Sequence, residues 1–405
     1  MSSMISRSLF QISGIFALCA TVLVSPAQGQ GEKGAHRHRP QLAISAAVDP
    51  RGDVWVVGLA QDRQSLYLQR VVSVGGKTQD APKKISLAGD KISADGENRP
   101  KLVFGGKWVL VTYTQPLSRP YTGEIRMVRS EDAATTFSSP FTVHQDRQII
   151  THRFESVILD PAGALHTFWI DKRDQERVKQ ERGLSHKELG KYYRGAAIYR
   201  NESQDGGKTF GPDIKVADYS CECCRIAVTL DPGGKPVAMW RHVFEPNIRD
   251  HAFWGLAFQS LTRATFDGWQ LDACPHHGPA IAPRGEQGFH AVWFGEKEGK
   301  AAVRYGQLDL NGKPVTQPQE LPDLSAEHAD IVSQGQRVVI SWRGFDGQKT
   351  HWKIWRSEDG GKSFEERTLG RSALDNDYPI LISRGAQEIW GLWNKADGLQ
   401  IEKIN

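Results

Sequence analysis

Short runs of alternating apolar and polar residues recur along most of this 405-residue chain, and many of them end in tryptophan. Such alternation places one face of a β-strand in a core and the other face toward water. Trp240, Trp293, Trp342 and Trp393 are separated by 53, 49 and 51 residues, which indicates a repeated structural unit. The runs are Val54–Leu59, Trp108–Tyr113, Leu165–Ile170, Pro236–Trp240, Phe289–Phe294, Val338–Trp342 and Ile389–Trp393.

Each run lies between other strand-like segments. A strand and a tight turn such as Asp160-Pro161 precede it, and a further strand follows it. Units of four antiparallel strands are typical of propeller blades, so we predict an all-β fold, a β-propeller of seven four-stranded blades. The units begin near Pro40, Pro100, Glu155, Cys224, Pro279, Ala329 and Tyr378. The last unit lacks a fourth strand, and the arm at 30–40 that could supply one is a poor strand.

The charged stretch Asp171–Arg194 is an insertion, because it lengthens the third unit relative to the others. We favour a solvated loop there over a short surface helix at Lys179–Tyr192.

Three segments share the pattern S-x-D-x-G-x-[ST]-F, with Ala134 in place of the glycine in the first copy. The aspartate of such a turn can accept backbone N–H bonds, and the glycine supplies a positive φ. We therefore assign structural roles to these positions. They are Ser130, Asp132, Ser203, Asp205, Gly207, Ser357, Asp359 and Gly361.

This pattern resembles the Asp-box, or BNR, repeat of sialidase-like propellers. The resemblance implies six blades, as in sialidases, as the alternative to the seven counted. Units four and five also resemble a bacterial sialidase-like subgroup. The matching segments are Cys221-Glu222-Cys223-Cys224, Ile248-Arg249-Asp250 and Cys274-Pro275-His276-His277-Gly278-Pro279.

The first residues are typical of an export signal. Arg7 precedes the apolar stretch from Ile12 to Val24, which is followed by small residues up to Gly29. We predict a signal peptide at 1–29, a single propeller domain at 30–405, and a periplasmic or secreted protein. Positive and negative charges are interspersed around a net charge of +4, so no basic stripe indicates nucleic-acid binding. We expect a monomer without a membrane span that binds a glycan or a small molecule.

Two sets of loops meet at the mouth of a propeller's central channel: those that lead into the innermost strands and those that leave the second strands. The Asp-box turns lie on the opposite face. Charged residues are frequent in the two sets of loops at the mouth, and these residues form our candidate ligand-binding group. Its members are Arg39, Arg99, Arg153, Arg173, Arg225, Arg241, Arg249, Asp250 and Arg343.

The cysteines are the most specific local signal. After signal removal, Cys221, Cys223, Cys224 and Cys274 remain, where units four and five begin. Neighbouring blades place these positions side by side. They could form two disulfides, bind Cu(I) or Zn(II) together with His276 or His277, or carry out redox chemistry. In each case we expect Cys274 to be coupled to the other three.

Sialidases hold a sugar carboxylate with three arginines and use a Tyr–Glu pair and an Asp in catalysis. The resemblance implies Tyr378, Glu155 and Asp171 as catalytic candidates, with Tyr193 as another phenol. The Arg-Ile-Pro signature of that family is absent. We therefore favour a ligand- or metal/thiol-binding site at the mouth, with an exo-sialidase and an envelope scaffold as alternatives.

Overall fold

The computed structural model of the chain describes residues 41–404 apart from positions 74, 79 and 95. The predicted signal peptide, the arm at 30–40 and Arg39 lie outside these residues. The described strands form seven antiparallel sheets, one for each predicted unit. Each first strand begins within four residues of the predicted start of its unit.

The first three blades follow the chain in order. Blade 1 contains β1 (Ile44–Val48), β2 (Val54–Leu59), β3 (Ser65–Ser73), β4 (Gly76–Lys77) and β5 (Lys83–Ser86), the last two sharing the outer edge of β3. Blade 2 contains β6 (Lys101–Gly105), β7 (Trp108–Pro116), β8 (Gly123–Ser130) and β9 (Phe141–Thr142). Blade 3 contains β10 (His152–Leu159), β11 (Leu165–Asp171), β12 (Ala196–Ser203) and β13 (Ile214–Ser220).

The other four blades continue the same order. Blade 4 contains β14 (Ala227–Leu230), β15 (Pro236–Arg241), β16 (His251–Gly255) and β17 (Leu261–Arg263). Blade 5 contains β18 (Ala280–Pro283), β19 (Phe289–Lys297), β20 (Lys300–Leu308) and β21 (Gln319–Glu320). Blade 6 contains β22 (Glu327–Gln334), β23 (Arg337–Phe345), β24 (Thr350–Ser357) and β25 (Glu365–Ser372). Blade 7 contains β26 (Ile380–Arg384), β27 (Glu388–Lys395) and β28 (Gly398–Ile404).

Apolar side chains fill the space between every pair of neighbouring blades, and this closes the ring. Seven buried clusters can be traced in the described part of the chain, one for each pair, including blades 7 and 1. In that last cluster Ile44 and Val56 pack with Trp390 and Leu392. The seven-blade prediction is confirmed. Blade 7 has three described strands, and side-chain packing joins it to blade 1.

The tryptophans that mark the units are core residues with a polar end. Trp169, Trp240, Trp342 and Trp393 are almost fully buried on the second strands of their blades. The indole N–H of Trp169 donates to Asp171 at 2.8 Å, and that of Trp393 donates to the Asp377 carbonyl at 2.8 Å. A buried indole N–H usually finds such a partner, and through it Trp169 and Trp393 also fix the segments at the strand ends.

The three Asp-box segments adopt the same turn between the third and fourth strands of blades 2, 3 and 6. Asp205 accepts hydrogen bonds from the backbone N–H groups of Lys208 and Thr209, both at 3.0 Å, and from the Ser203 hydroxyl at 2.7 Å. Asp132 and Asp359 accept the equivalent bonds. The hydrogen bonds expected from the sequence are therefore present.

The stretch at 171–194 corrects one expectation, since we favoured a solvated loop there. It contains α1 (Arg173–Arg182) and the short α2 (His186–Leu189). Acidic residues in the first turn and basic residues in the last suit the dipole of α1, and Gly183 ends it at φ 62°. Ser185 and Glu188 form a capping box on α2. No helix among the described residues is long and apolar enough to cross a membrane.

We expect Asp205→Ala to lower the free energy of unfolding by about 1–2 kcal/mol, because the turn loses its hydrogen-bond acceptor. Asp359→Ala should act in the same direction. Urea unfolding followed by circular dichroism measures the change. The neighbouring exposed Gln204→Ala is the control and should leave stability within about 0.5 kcal/mol. An Asp205→Ala protein as stable as the control would contradict the structural role of the turn.

Candidate functional site

A buried carboxylate, that of Glu97, connects the loops at the channel mouth. One of its oxygens accepts bonds from the Arg225 and Gly278 backbone N–H groups, both at 2.8 Å. The other lies 3.0 Å from His328 Nδ1 and accepts the Tyr378 hydroxyl at 3.2 Å. Glu97 leads into blade 2, and its partners lead into blades 4, 5, 6 and 7. One side chain therefore joins five of the seven blades.

Glu97 stays ionised in this position. Burial disfavours its charge, but the Arg225 guanidinium at 3.3 Å and the hydrogen bond from His328 outweigh that effect and hold the pKa of Glu97 well below its usual value. Sequence reasoning missed Glu97, although it selected Arg99 two residues later. Its position in the same loop was the one signal that could have found it.

Aromatic rings stack in a column beside Glu97. Phe294, His277, His328 and Tyr378 follow one another with ring centroids 4.3 Å apart at each step. The Arg99 guanidinium carbon lies 4.2 Å from the Tyr378 ring centroid. Burial lowers the pKa of His277 to about 3, so this ring is neutral near pH 7. The column joins blades 5, 6 and 7 and buries Tyr378.

The catalytic candidates do not assemble as the resemblance implied. Tyr378 is paired with Glu97 instead of Glu155, and it is only 4% exposed. Burial raises the pKa of the Tyr378 phenol and of the Glu155 carboxyl. Glu155 lies 3.2 Å from the hydroxyls of Thr112 and Thr114. Asp171 accepts hydrogen bonds from Trp169 and Arg173.

Three of the candidate arginines are bound to backbone carbonyls of neighbouring loops. Arg99 donates to Gly96 and Ile44 at 2.8 and 2.6 Å and pairs with Asp377. Arg225 donates to the Pro279 and Ala329 carbonyls at 3.0 and 2.6 Å. Arg241 donates to the carbonyls of Arg249, His277 and Phe294 at 2.7 to 2.8 Å. These guanidinium groups connect segments of different blades at the channel mouth.

The other described candidates also have partners in the protein. Arg153 donates to Ser93, Arg173 to Asp171 and Asp213, and Arg343 to Glu327 and the Asn376 carbonyl. Asp250 forms an ion pair with Arg263. Binding of a ligand to this group remains a prediction, and a ligand would compete with these contacts.

The sulfurs of Cys221, Cys223 and Cys224 form a nearly equilateral triangle. Their separations are 3.8, 3.9 and 4.0 Å, far longer than the roughly 2.05 Å of a disulfide. All three side chains are buried, and Arg249 Nη1 lies 3.7 Å from the Cys221 sulfur. Hydrogen bonds from Cys223 and Cys224 lower the pKa of Cys221. Burial raises the pKa of Cys224.

Cys274 is exposed in the segment that leads into blade 5, next to the blade that carries the triangle. Interaction with the Cys221 thiol raises the pKa of Cys274 to about 11. All four cysteines are free thiols, and the coupling of Cys274 to the other three stays a prediction. His276 is exposed, and His277 lies with Glu327 and His328 in a separate cluster, not with the sulfurs.

A cleft of about 920 Å³ lies on the mouth face over blades 2, 3 and 4. Helices α1 and α2 form part of its wall, together with the loop at 119–122 and the loop at 243–249. Three acidic side chains, Glu176, Glu222 and Asp272, line the cleft. Seven basic ones outnumber them: Arg119, Lys172, Lys179, Lys187, Lys191, Arg194 and Arg249.

The cleft combines free positive charge with an exposed aromatic ring. Lys172 pairs with Glu222 and Arg194 with Glu245, whereas Lys187 and Lys191 are exposed and form no ion pair within the described part of the chain. Tyr121 at its edge is 83% exposed. Sequence reasoning assigned the insertion to a loop and so did not find this cleft.

Comparison with known proteins shows the fold. No family model matches the chain, and no curated protein matches it. The chain is similar to an ulvan lyase of polysaccharide lyase family PL25, with a TM-score of 0.55 at 12% identity over 90% of this chain and 93% of that one. It is also similar to the leech intramolecular trans-sialidase, with a TM-score of 0.50 at 9% identity over 87% and 83%. These likenesses establish a propeller fold shared with sialidases and other propeller enzymes.

We expect Glu97→Ala to lower the free energy of unfolding by about 3–5 kcal/mol, because it leaves the buried charge of Arg225 without its partner. Tyr378→Phe removes one hydrogen bond and should cost only about 0.5–1.5 kcal/mol. Chemical unfolding of both variants tests whether Glu97→Ala loses more stability than Tyr378→Phe. The exposed Glu365→Ala is the matched control. Equal stability of Glu97→Ala and this control would show that Glu97 does not join the loops.

Proposed function

We propose that this protein binds an anionic glycan in the cleft on its mouth face. The observation that carries the proposal is the lining of the cleft, where seven basic side chains face three acidic ones around an exposed tyrosine. A volume of about 920 Å³ lies at the upper end of the range for ligand sites, about 300–1,000 Å³.

The residue types favour an acidic sugar chain over a neutral one. Lys187 and Lys191 can donate charge-assisted hydrogen bonds to carboxylate or sulfate groups. The exposed ring of Tyr121 offers an apolar face with a polar edge, on which a sugar ring can lie. The similar ulvan lyase was solved bound to -[GlcA(1-4)Rha3S]-. That likeness concerns the fold, so the proposal depends on the cleft of this chain.

Hydrolysis of sialosides is the alternative. The Tyr378–Glu97 pair favours it, because a tyrosine nucleophile needs a neighbouring base. Three features oppose it: Tyr378 is buried, its pKa is raised, and Arg99 and Arg225 beside it donate to backbone carbonyls. A substrate would have to displace the contacts that join the blades. We therefore favour binding without this chemistry.

We expect no turnover, or only trace turnover, of a fluorogenic sialoside by the full-length protein. A release assay over a range of pH, with an active sialidase as positive control, measures it. A catalytic constant near the enzyme median of about 10 per second would overturn this expectation.

We expect the double variant Lys187→Ala/Lys191→Ala to weaken binding of an acidic oligosaccharide at least about tenfold, a loss of about 1.4 kcal/mol. Calorimetry with oligogalacturonate as the acidic probe and maltohexaose as the neutral one measures the affinities. Added salt should weaken the acidic interaction, because exposed charges are screened. Tyr121→Ala should weaken it as well.

The matched control for this test is Lys208→Ala/Lys362→Ala, which removes two exposed lysines from Asp-box turns on the opposite face. It should leave binding unchanged. Equal loss in both double variants would mean that general charge, and not the cleft, attracts the oligosaccharide. Equal affinity for the acidic and neutral probes would contradict the proposal.

A further inference from the structure

We propose that Cys221, Cys223, Cys224 and Cys274 form a binding site for one thiophilic metal ion, Cu(I) or Zn(II). The site lies where blades 4 and 5 begin on the mouth face, and it does not depend on the glycan cleft. Three features support such a site: the spacing of the sulfurs, their surroundings and the position of the fourth cysteine.

The spacing of the three buried sulfurs matches metal coordination. An ion at the centre of an equilateral triangle with 3.9 Å sides lies 3.9/√3, or about 2.3 Å, from each sulfur. Zn–S bonds are about 2.3 Å long. An ion bound tetrahedrally by four sulfurs at this bond length holds them about 3.8 Å apart. The same three sulfurs can therefore form one face of a tetrahedral site. Three thiols already stand at ligand distance from a single point.

The same distances do not suit cystine. A disulfide needs sulfurs about 2.05 Å apart, and each pair in the triangle would have to close by almost half of its separation. Closing any one pair would also leave the third buried sulfur with the exposed Cys274 as the remaining partner. Ligation uses all three sulfurs where they are.

The surroundings suit a thiolate cluster. The three cysteines pack with Phe154, Ile226 and Trp240 in the apolar layer between blades 3 and 4. Arg249 is the cationic group beside Cys221, and the buried Arg241 is bound to the Arg249 carbonyl. These charges offset the negative charge that accumulates when several thiolates bind one ion. Soft sulfur ligands select Cu(I) and Zn(II) among the biological metals.

Cys274 supplies the fourth ligand and the route of access. It leads into blade 5, the neighbour of the blade that carries the triangle, and it is exposed whereas the other three are buried. An ion can therefore meet Cys274 first and pass to the triangle. Three sulfurs suffice for trigonal Cu(I), while tetrahedral Zn(II) needs the fourth.

Metal titration of the full chain tests the proposal. The protein is reduced, stripped of metal and titrated without oxygen with Zn(II) or Cu(I) against a chromophoric chelator of each ion. Co(II) serves as a spectroscopic probe, because sulfur-to-cobalt charge transfer reports thiolate ligands. We expect one ion to bind per chain, and the Co(II) form to show sulfur-to-cobalt charge-transfer bands. Whichever of Zn(II) and Cu(I) binds with the higher affinity identifies the metal. Less than one ion per chain, or a spectrum without thiolate bands, overturns the proposal.

Variants assign the ligands. Cys223→Ser and Cys224→Ser should each lower affinity at least about 100-fold, with circular dichroism showing that the fold is retained. The exposed Cys274→Ser should fold normally and lower Zn(II) affinity about tenfold or more. The control Lys208→Ala, on the opposite face of the propeller, should bind as the unmodified protein does. Undiminished binding in Cys223→Ser overturns the triangle, and undiminished Zn(II) binding in Cys274→Ser overturns the fourth ligand.

Discussion

Each blade of this protein has apolar side chains on both faces of its sheet, and neither face can be left in water. A blade therefore needs a neighbour on each side, and only a closed ring provides one for all seven. The cluster that joins Ile44 and Val56 to Trp390 and Leu392 completes the circle. Blade 7 has three described strands, yet it buries its faces like the others, because ring closure depends on side-chain packing between sheets. The positions of all loops on the mouth face follow from this arrangement.

Closing seven blades brings charged loop residues together, and buried charges need partners. Glu97 and Arg225 meet this requirement for each other, and the surrounding carbonyls and ring stack take up the remaining donors. Arg99, Arg225 and Tyr378 are bound to other groups of the protein itself. A Tyr–Glu pair is present, but it lies inside the network that joins the loops. The same pair of residue types can thus serve structure instead of catalysis.

The two proposed binding regions are neighbours on the mouth face. Glu222 stands between Cys221 and Cys223 in the chain and pairs with Lys172 in the wall of the cleft. Arg249 lines the cleft and also contacts the Cys221 sulfur. Occupation of the sulfur site would fix these two side chains, and with them one end of the cleft. The insertion that carries α1 and α2 forms the rest of the wall, so an addition to one blade distinguishes this face from that of a plain propeller.

Local pattern alone determined the strands, the Asp-box turns and the number of units, because two-residue alternation and turn chemistry act between residues close in the chain. Ring order also placed Cys274 at the start of the blade that follows the one with Cys221, Cys223 and Cys224. The pairing of Tyr378 with Glu97, 281 residues apart, was decided only by the closed ring, as were the partners of Arg99 and Arg241. Helix α1 and the basic cleft depend on how the insertion folds back over blade 3. The physical reason is the same in each case: hydrogen bonds, ion pairs and cleft walls join residues far apart in the chain, and their distances exist only once the apolar layers have set the blades in place.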